Sequence, residues 1–177
     1  ISDQDLNDIW SINQDNIPEV GSVPNLTRMK ALVDWSSHVI VVRGEEVAGF
    51  IVLMREGETY DSLNYDFFNS KDDPFLYVDR IAIKDIYRRQ GLGSMLYEET
   101  IKIAEDLELD TCCEVNILPR NDASLSFHER FGFRARDPHD VPNGGMATLL
   151  IARSLDLRSL GVPGQPALPG RVGGGRA

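Results

Sequence analysis

Arg88-Arg89-Gln90-Gly91-Leu92-Gly93 is the stretch whose residue types and spacing most directly imply a chemistry. The period of the apolar residues changes across it. Before it, Phe75–Ile83 is a β-rich run in which Ile81 and Ile83 alternate with Ala82. After it, Leu92, Met95, Leu96, Ile103 and Leu107 fall on one face of a 3.6-residue helix. The corner is therefore a strand-to-helix turn. A helix N-terminus carries unpaired N–H groups and the positive end of the macrodipole, so it suits an anion. Gly91 and Gly93 remove side chains that would keep a phosphate from the backbone, and Arg88 and Arg89 add charge. A pyrophosphate site is the physical reading, with a tight turn and two solvated arginines as the plain alternative. Neither G-x-G-x-x-G nor G-x-x-x-x-G-K-[ST] is present, which sets aside the dinucleotide and P-loop solutions.

The elements that must position this corner can be read in chain order. Leu6, Ile9, Trp10 and Asn13 have helical spacing over Asp3–Asn16, with Ser2 or Asp3 as N-cap. The breaker-rich Ile17–Asn25 ends that helix, and a second runs from Leu26 to about Ser37. Val39–Val42 and Val47–Met54 flank "RGEE" as a hairpin, with Gly49 a candidate bulge. Glu56–Pro74 is a long polar and aromatic connection, read as a lid or acceptor-binding segment or else as a packed excursion. Asp79 and Arg80 are charged in the middle of a strand whose two faces are both mainly apolar. Such charge requires a partner or a water-filled cleft, so an ion pair and a substrate role for Asp79 are both open. Thr111–Leu118 is a further strand and Pro119 closes it. Asn121 or Asp122 caps a helix running to Arg130, which Gly132 terminates. Phe133 starts a short strand, Asp137–Gly145 reads as a turn region, and Met146–Ala152 as a final strand. The order defines an α/β (α+β) domain with a mixed sheet over 1–157. Residues 158–177 are Gly/Pro-rich and are expected to be a disordered tail or an expression remnant.

A 177-residue chain with 42% hydrophobic and 26% charged residues suits one soluble domain. The net charge of −10 excludes the positive footprint of a nucleic-acid binder and is weakly favourable to a cationic acceptor. No apolar run reaches the roughly 20 residues of a membrane span. Cys112 and Cys113 are adjacent and so point to opposite strand faces. That spacing implies neither a disulfide framework nor a metal site and is simplest in a reducing cytoplasm.

The Arg88–Gly93 stretch resembles the (Q/R)-x-x-G-x-(G/A) motif of the GNAT (Gcn5-related) N-acetyltransferase superfamily, with its strand before and its helix after. A second stretch, Cys113–Phe133, "CEVNILPRNDASLSFHERFGF", is similar to the family's E-V strand followed by N-x-x-(A/S)-x-x-(F/L)-Y and G-F. The resemblance runs from Ile1 to about Leu155. It implies the GNAT fold, a mixed central sheet splayed at the acetyl-CoA site with helices on both faces. The family usually has a strand before the first helix; almost nothing precedes Asp3, so that strand is expected to be truncated. The implied co-substrate is acetyl-CoA, without a metal. Its pyrophosphate would meet Arg88, Arg89, Gln90, Gly91, Leu92, Gly93 and Ser94. Its acetyl carbonyl and pantetheine would meet backbone of Ile81, Ala82 and Ile83, and Asn121, Ser124 and Phe127 would line the arm. The implied reaction is direct attack by a primary amine, of a small molecule or a peptide N-terminus, in a ternary complex. A homodimer is compatible with the family's habits.

Two positions depart from the pattern. The tyrosine taken as acid for the CoA thiolate is here His128, which either donates that proton or only packs or caps. Glu114 matches the glutamate that serves as base in members acting on protein N-termini. It lies two residues farther from Asn121 than in those members, so a bulge or loop must absorb the difference. Asp79, or Tyr77 through a water, are the alternative bases. Two other functions remain open on the sequence: a non-catalytic acyl-CoA-binding module, or a transferase using another acyl-CoA.

Overall fold

The structure is a computed structural model and describes residues 1–70, 73–141 and 145–152. The elements follow the order α1 (Asp3–Asp15), α2 (Leu26–Trp35), β1 (His38–Arg43), β2 (Val47–Arg55), α3 (Leu63–Asn69), β3 (Phe75–Ile83), α4 (Leu92–Asp106), β4 (Asp110–Leu118), α5 (Asp122–Arg130), β5 (Arg134–Val141) and β6 (Gly145–Ala152). The strands form one six-stranded sheet in the order β1-β2-β3-β4-β6-β5. β3 and β4 are parallel, while the other neighbours are antiparallel. The sheet is mixed, as the element order implies.

Both faces of the sheet are covered. Phe50, Val52 and Met54 of β2 pack with Ile9, Ile12, Met29, Leu32 and Tyr65, so α1, α2 and α3 share one face. Their alternates Ile51 and Leu53 pack with Leu76, Val78, Leu96, Tyr97 and Ile101 under α4 on the other. Cys112 and Cys113 divide between these two cores as strand neighbours must, and neither is in a disulfide. Burying apolar area on this scale, at roughly 25 cal/mol per Å², is what offsets the ordering of the chain.

Local sequence explains the ends of the helices. The Ser2 hydroxyl accepts the Asp5 N–H at 3.2 Å while the Asp5 carboxylate accepts the Ser2 N–H at 2.9 Å, a reciprocal capping box. Asn25 caps α2 through the Arg28 N–H at 2.9 Å. Asn121 caps α5 through the Ser124 N–H at 3.0 Å. The irregularity expected near Gly49 falls on Ala48, which has no partner between the Val42–Gly49 and Arg43–Val47 pairs. Gly49 answers a different demand: a Cβ there would lie 2.8 Å from the Ala82 carbonyl oxygen and collide with Ile83. Only glycine lets β2 and β3 approach this closely.

Three expectations are corrected. The connection Glu56–Pro74 contains a helix, α3, docked by the fully buried Tyr65, whose hydroxyl donates to the Arg55 carbonyl at 2.6 Å. Asp137–Val141 belongs to β5 rather than to a turn; β5 is an edge strand, where Pro138 removes no essential ladder bond. The buried face of α4 is Leu96, Tyr97, Thr100, Ile101 and Ala104, rotated from the expected stripe, and Met95 and Leu107 are exposed. The stretch 158–177 and residues 142–144 lie outside the described residues.

Candidate active site

β3 is paired very differently along its two edges. On the β2 side the register continues from Leu76 to Ile83. On the β4 side it covers only Phe75–Asp110, Leu76–Thr111 and Tyr77–Cys112. Beyond Tyr77 the two strands diverge, which opens the sheet from Val78 onward. A bulge marks the same place: Val52 faces Arg80 and Leu53 faces Val78, leaving Asp79 as the extra residue. β4 is meanwhile held to β6 through Leu118. A cavity of about 390 Å³ occupies the opening. β3 lines it with Tyr77, Asp79 and Ile81, β4 with Cys113 and Glu114, and α5 with Ser124 and His128. The α1–α2 connection, from Asn16 to Gly21, and Tyr60, Ser62 and Asn64 before and within α3 complete the wall.

The basic corner lies at one end of this opening. Gly91 is the N-cap of α4 with φ 85°, a left-handed conformation that glycine adopts without penalty. No side chain caps the helix, so the first-turn N–H groups of Leu92, Gly93 and Ser94 point outward without a side-chain acceptor. Gln90 donates to the Ile86 carbonyl at 3.0 Å and closes the turn. The exposed Arg88 pairs with Asp85 at 2.8 Å and donates to Asn16 Oδ1 at 2.6 Å. Asn16 also lines the cavity, so one guanidinium joins the basic corner to the opposite wall. Phe127 reaches the same corner from α5, 3.7 Å from where a Cβ at Gly93 would stand.

Inside the cavity the three candidate catalytic side chains have distinct environments. Asp79 and Arg80 form an ion pair at 2.6 Å with side chains only 4% and 8% exposed. Arg80 is further held by Asn13 Oδ1 at 2.9 Å and the Gly21 carbonyl at 3.2 Å. A pair buried this deeply is costly to break, because either partner alone would be an uncompensated charge. Glu114 is pushed up to about 8, first by burial, against a lowering hydrogen bond from Asn64 and with a further rise from the Asp79 charge. Burial likewise raises the Tyr77 phenol, with Asp79 and Glu114 adding to it. The His128 pKa is lowered by burial. Its Nδ1 lies 2.7 Å from the Ser124 carbonyl, which can only accept, so Nδ1 carries the proton. Its Nε2 lies 2.5 Å from the Tyr97 hydroxyl.

The extra length between Glu114 and Asn121 is absorbed in two places. The β4–β6 register slips between Asn116 and Leu118, and Ile117 folds back to bridge Arg120. The Asn121 N–H then donates to the Asn116 carbonyl at 3.0 Å. Asp79, Glu114 and His128 consequently border one cavity with Ile81, Asn121 and Ser124. Ala82, Ile83, Arg88–Ser94 and Phe127 lie beyond its lining. Tyr97 was not indicated by the sequence, whereas Tyr60 and Asn64 belong to the Glu56–Pro74 segment read there as a lid, an acceptor-binding stretch or a packed excursion. Tyr97 reads as one more position on an amphipathic helix, and its partner His128 is 31 residues away.

The diverging parallel strands and the helix N-terminus without a side-chain cap leave backbone N–H groups open at this end of the sheet. A sequence profile of the Acetyltransferase (GNAT) family matches residues 6–133, and the chain belongs to that family. Over 95 residues it is 27% identical to histone acetyltransferase MCC1 of Arabidopsis thaliana, a match covering 51% of this chain and 38% of that protein. The chain thus spans well under half the length of that relative. Among solved structures it resembles Ard1 of Thermoplasma volcanium, with a TM-score of 0.66 and 18% identity over 86% of this chain and 93% of the other. It also resembles Arabidopsis thaliana NAA60 in complex with acetyl-CoA, with a TM-score of 0.63 and 17% identity over 86% and 95%. A chain of the NatC complex bound to Gag peptide and CoA gives 0.66 and 16% over 86% and 92%. At these identities the solved structures establish the shared fold. Among the described residues no helix is long and apolar enough to cross a membrane, and no group of side chains could hold a metal ion.

Proposed function

We propose that the protein is an acetyl-CoA-dependent N-acetyltransferase in which a primary amine attacks the thioester directly. The observation that carries this reading is the placement of Glu114 in the opening between β3 and β4, with a pKa pushed up to about 8. An ammonium group must lose a proton before it can attack, and a base works best when its pKa lies near that of the group it deprotonates and near the working pH. Glu114 meets that condition. The CoA pyrophosphate would sit on the N–H groups of Leu92, Gly93 and Ser94 beside Arg88 and Arg89. The pantetheine would pass Phe127, Asn121 and Ser124. The unpaired edge of β3 at Ile81–Ile83 would offer N–H groups to the acetyl carbonyl, where the tetrahedral oxyanion forms. Asp79, held by Arg80, serves this site by raising the Glu114 pKa through its charge.

The Glu114 value also favours a class of acceptor. A peptide α-amine has a pKa of about 7.7–8.0, whereas a lysine side chain lies near about 10.4. Proton transfer to Glu114 is nearly balanced for the first and uphill for the second. The reading is therefore α-amine acetylation of a peptide or small amine, in the company of the NatC structure bound to a peptide and CoA. Lysine acetylation is the second reading, favoured by the similarity to a histone acetyltransferase. The two buried cysteines, neither in a disulfide, fit a cytoplasmic setting. The deciding experiment measures acetyl-CoA consumption with peptides bearing a free α-amine, with N-blocked peptides bearing lysine, and with small amines. Turnover confined to free α-amines supports the first reading. Turnover of blocked lysine peptides transfers support to the second, and no acetyl-CoA binding at all removes both.

A further inference from the structure

In this conformation His128 has no proton to give toward the cavity. Its Nδ1–H is committed to the Ser124 carbonyl, and its Nε2 accepts from Tyr97. The Tyr97 hydroxyl therefore stands at the tip of the imidazole, and both residues border the cavity. Tyr97 is fully buried among Phe127, Phe131 and Phe133, with ring centroids 4.9, 5.3 and 5.8 Å away. A phenylalanine would fill that nest with no hydroxyl to satisfy, so packing alone does not call for the phenol.

We propose that Tyr97 is a catalytic residue whose hydroxyl exchanges a proton with the sulfur of CoA, and that His128 acts behind it as the proton store. The inference rests on the transfer reaction proposed above. After attack, the cationic nitrogen of the tetrahedral intermediate gives a proton to Tyr97 Oη, directly or through one water, while the tyrosine passes its own proton to His128 Nε2. When the intermediate collapses, the carbon–sulfur bond breaks and sulfur keeps the electron pair. Nε2 then returns its proton to Tyr97 Oη, and Tyr97 protonates the sulfur. Tyrosine and imidazole end as they began, and one proton has moved from nitrogen to sulfur. The proton lost by the ammonium before attack is the one taken by Glu114. Burial disfavours the imidazolium, which makes it a ready donor during the collapse. The titratable groups nearest the pair are Cys113 on β4 and, along the cavity wall, Glu114 and Asp79.

The test uses CoA carrying ¹³C beside its sulfur, bound to the full chain, with the thiol titrated by its ¹³C shift. This readout needs no acceptor. Tyr97→Phe should raise the thiol pKa of bound CoA by about one unit, a tenfold change in its ionisation constant, because thiolate loses its hydrogen-bond donor. In turnover, Tyr97→Phe should lower kcat by about 10²-fold while CoA affinity changes less than about twofold. His128→Gln keeps an acceptor for the tyrosine but cannot carry a proton, so it should also lose at least about tenfold in kcat. The double variant should be no worse than the poorer single one, as expected of groups that act as a unit. An unchanged thiol pKa in Tyr97→Phe overturns the proposal, as does full activity of His128→Gln or multiplicative losses in the double variant. Failure of the wild type to bind CoA would instead remove the transfer reaction itself.

Discussion

The two halves of the site are built from different material. The corner at Arg88–Ser94 is mostly backbone: a left-handed glycine, an uncapped helix N-terminus and side chains at the surface. The wall formed by Asp79, Glu114, Tyr97 and His128 is made of buried side chains from two strands and two helices distant in sequence. A backbone site binds an anion through groups that any sequence possesses, and needs only glycines and charge to expose them. A side-chain site depends on burial to set the proton affinities, as the Glu114 value of about 8 illustrates. Substitutions in the first should therefore act on affinity, and in the second on rate.

The largest effect that would sharpen this division is expected from Glu114→Gln. It should lower kcat/KM by about 10²–10⁴-fold with acetyl-CoA affinity nearly unchanged, and it should abolish the rise of the wild-type rate with pH through about 8. The same substitution has a signature in stability. The folded-state pKa of Glu114 lies above its ordinary value of 4.5, so the folded wild type binds the extra proton. Wild-type stability is then intact below 4.5 and falls as pH rises through about 8, whereas the glutamine variant has no such loss. The difference in Tm between variant and wild type should grow in favour of the variant from pH 5 to pH 9, in parallel thermal melts. A smaller effect, of opposite kind, is expected from Arg88→Ala. Calorimetry should show acetyl-CoA binding weakened about tenfold, the scale of one charge-assisted hydrogen bond, with kcat at saturation little altered. A large fall in kcat there would break the division.

Gly49→Ala tests whether the opening depends on the tight side of β3. The added Cβ meets the Ala82 carbonyl oxygen, so about 1–3 kcal/mol of stability should be lost, read as a Tm lower by several degrees. The smallest effect is expected at Asp34→Asn, which breaks the exposed Lys30–Asp34 pair on α2. It should change stability by no more than about 0.5 kcal/mol and leave activity intact.

The same contrast explains what could be read from the sequence. The strand-to-helix turn at Arg88–Gly93 was legible because it is local: the strand, the glycines and the start of the helix are contiguous. The caps Ser2 and Asn121 were legible for the same reason. α3 was not, because a seven-residue helix with only Tyr65 and Phe68 buried is too short to display a period. β5 was obscured by Pro138, which an edge strand tolerates. The buried face of α4 was misplaced because it includes Thr100, whose hydroxyl is satisfied by the Leu96 carbonyl at 2.9 Å and so is buried without cost to the helix. Glu114 and His128 were indicated by family resemblance, but their proton affinities are properties of neighbours brought by the fold. Asp79 was conspicuous as a charge in mid-strand, and both the ion pair and the place beside the cavity are found.

The bulge at Asp79 has a consequence for anyone who would redesign this scaffold. It is one surplus residue in an otherwise regular ladder, and deleting it would let β2 and β3 pair without interruption. A procedure that rewards ideal strands would favour that deletion. Yet Asp79 is also the carboxylate that faces the buried Arg80 guanidinium, so the regular strand would leave that charge without its counter-ion beside the cavity. The irregularity and the buried charge are thus one feature, and smoothing the ladder would trade a bulge for an unpaired guanidinium.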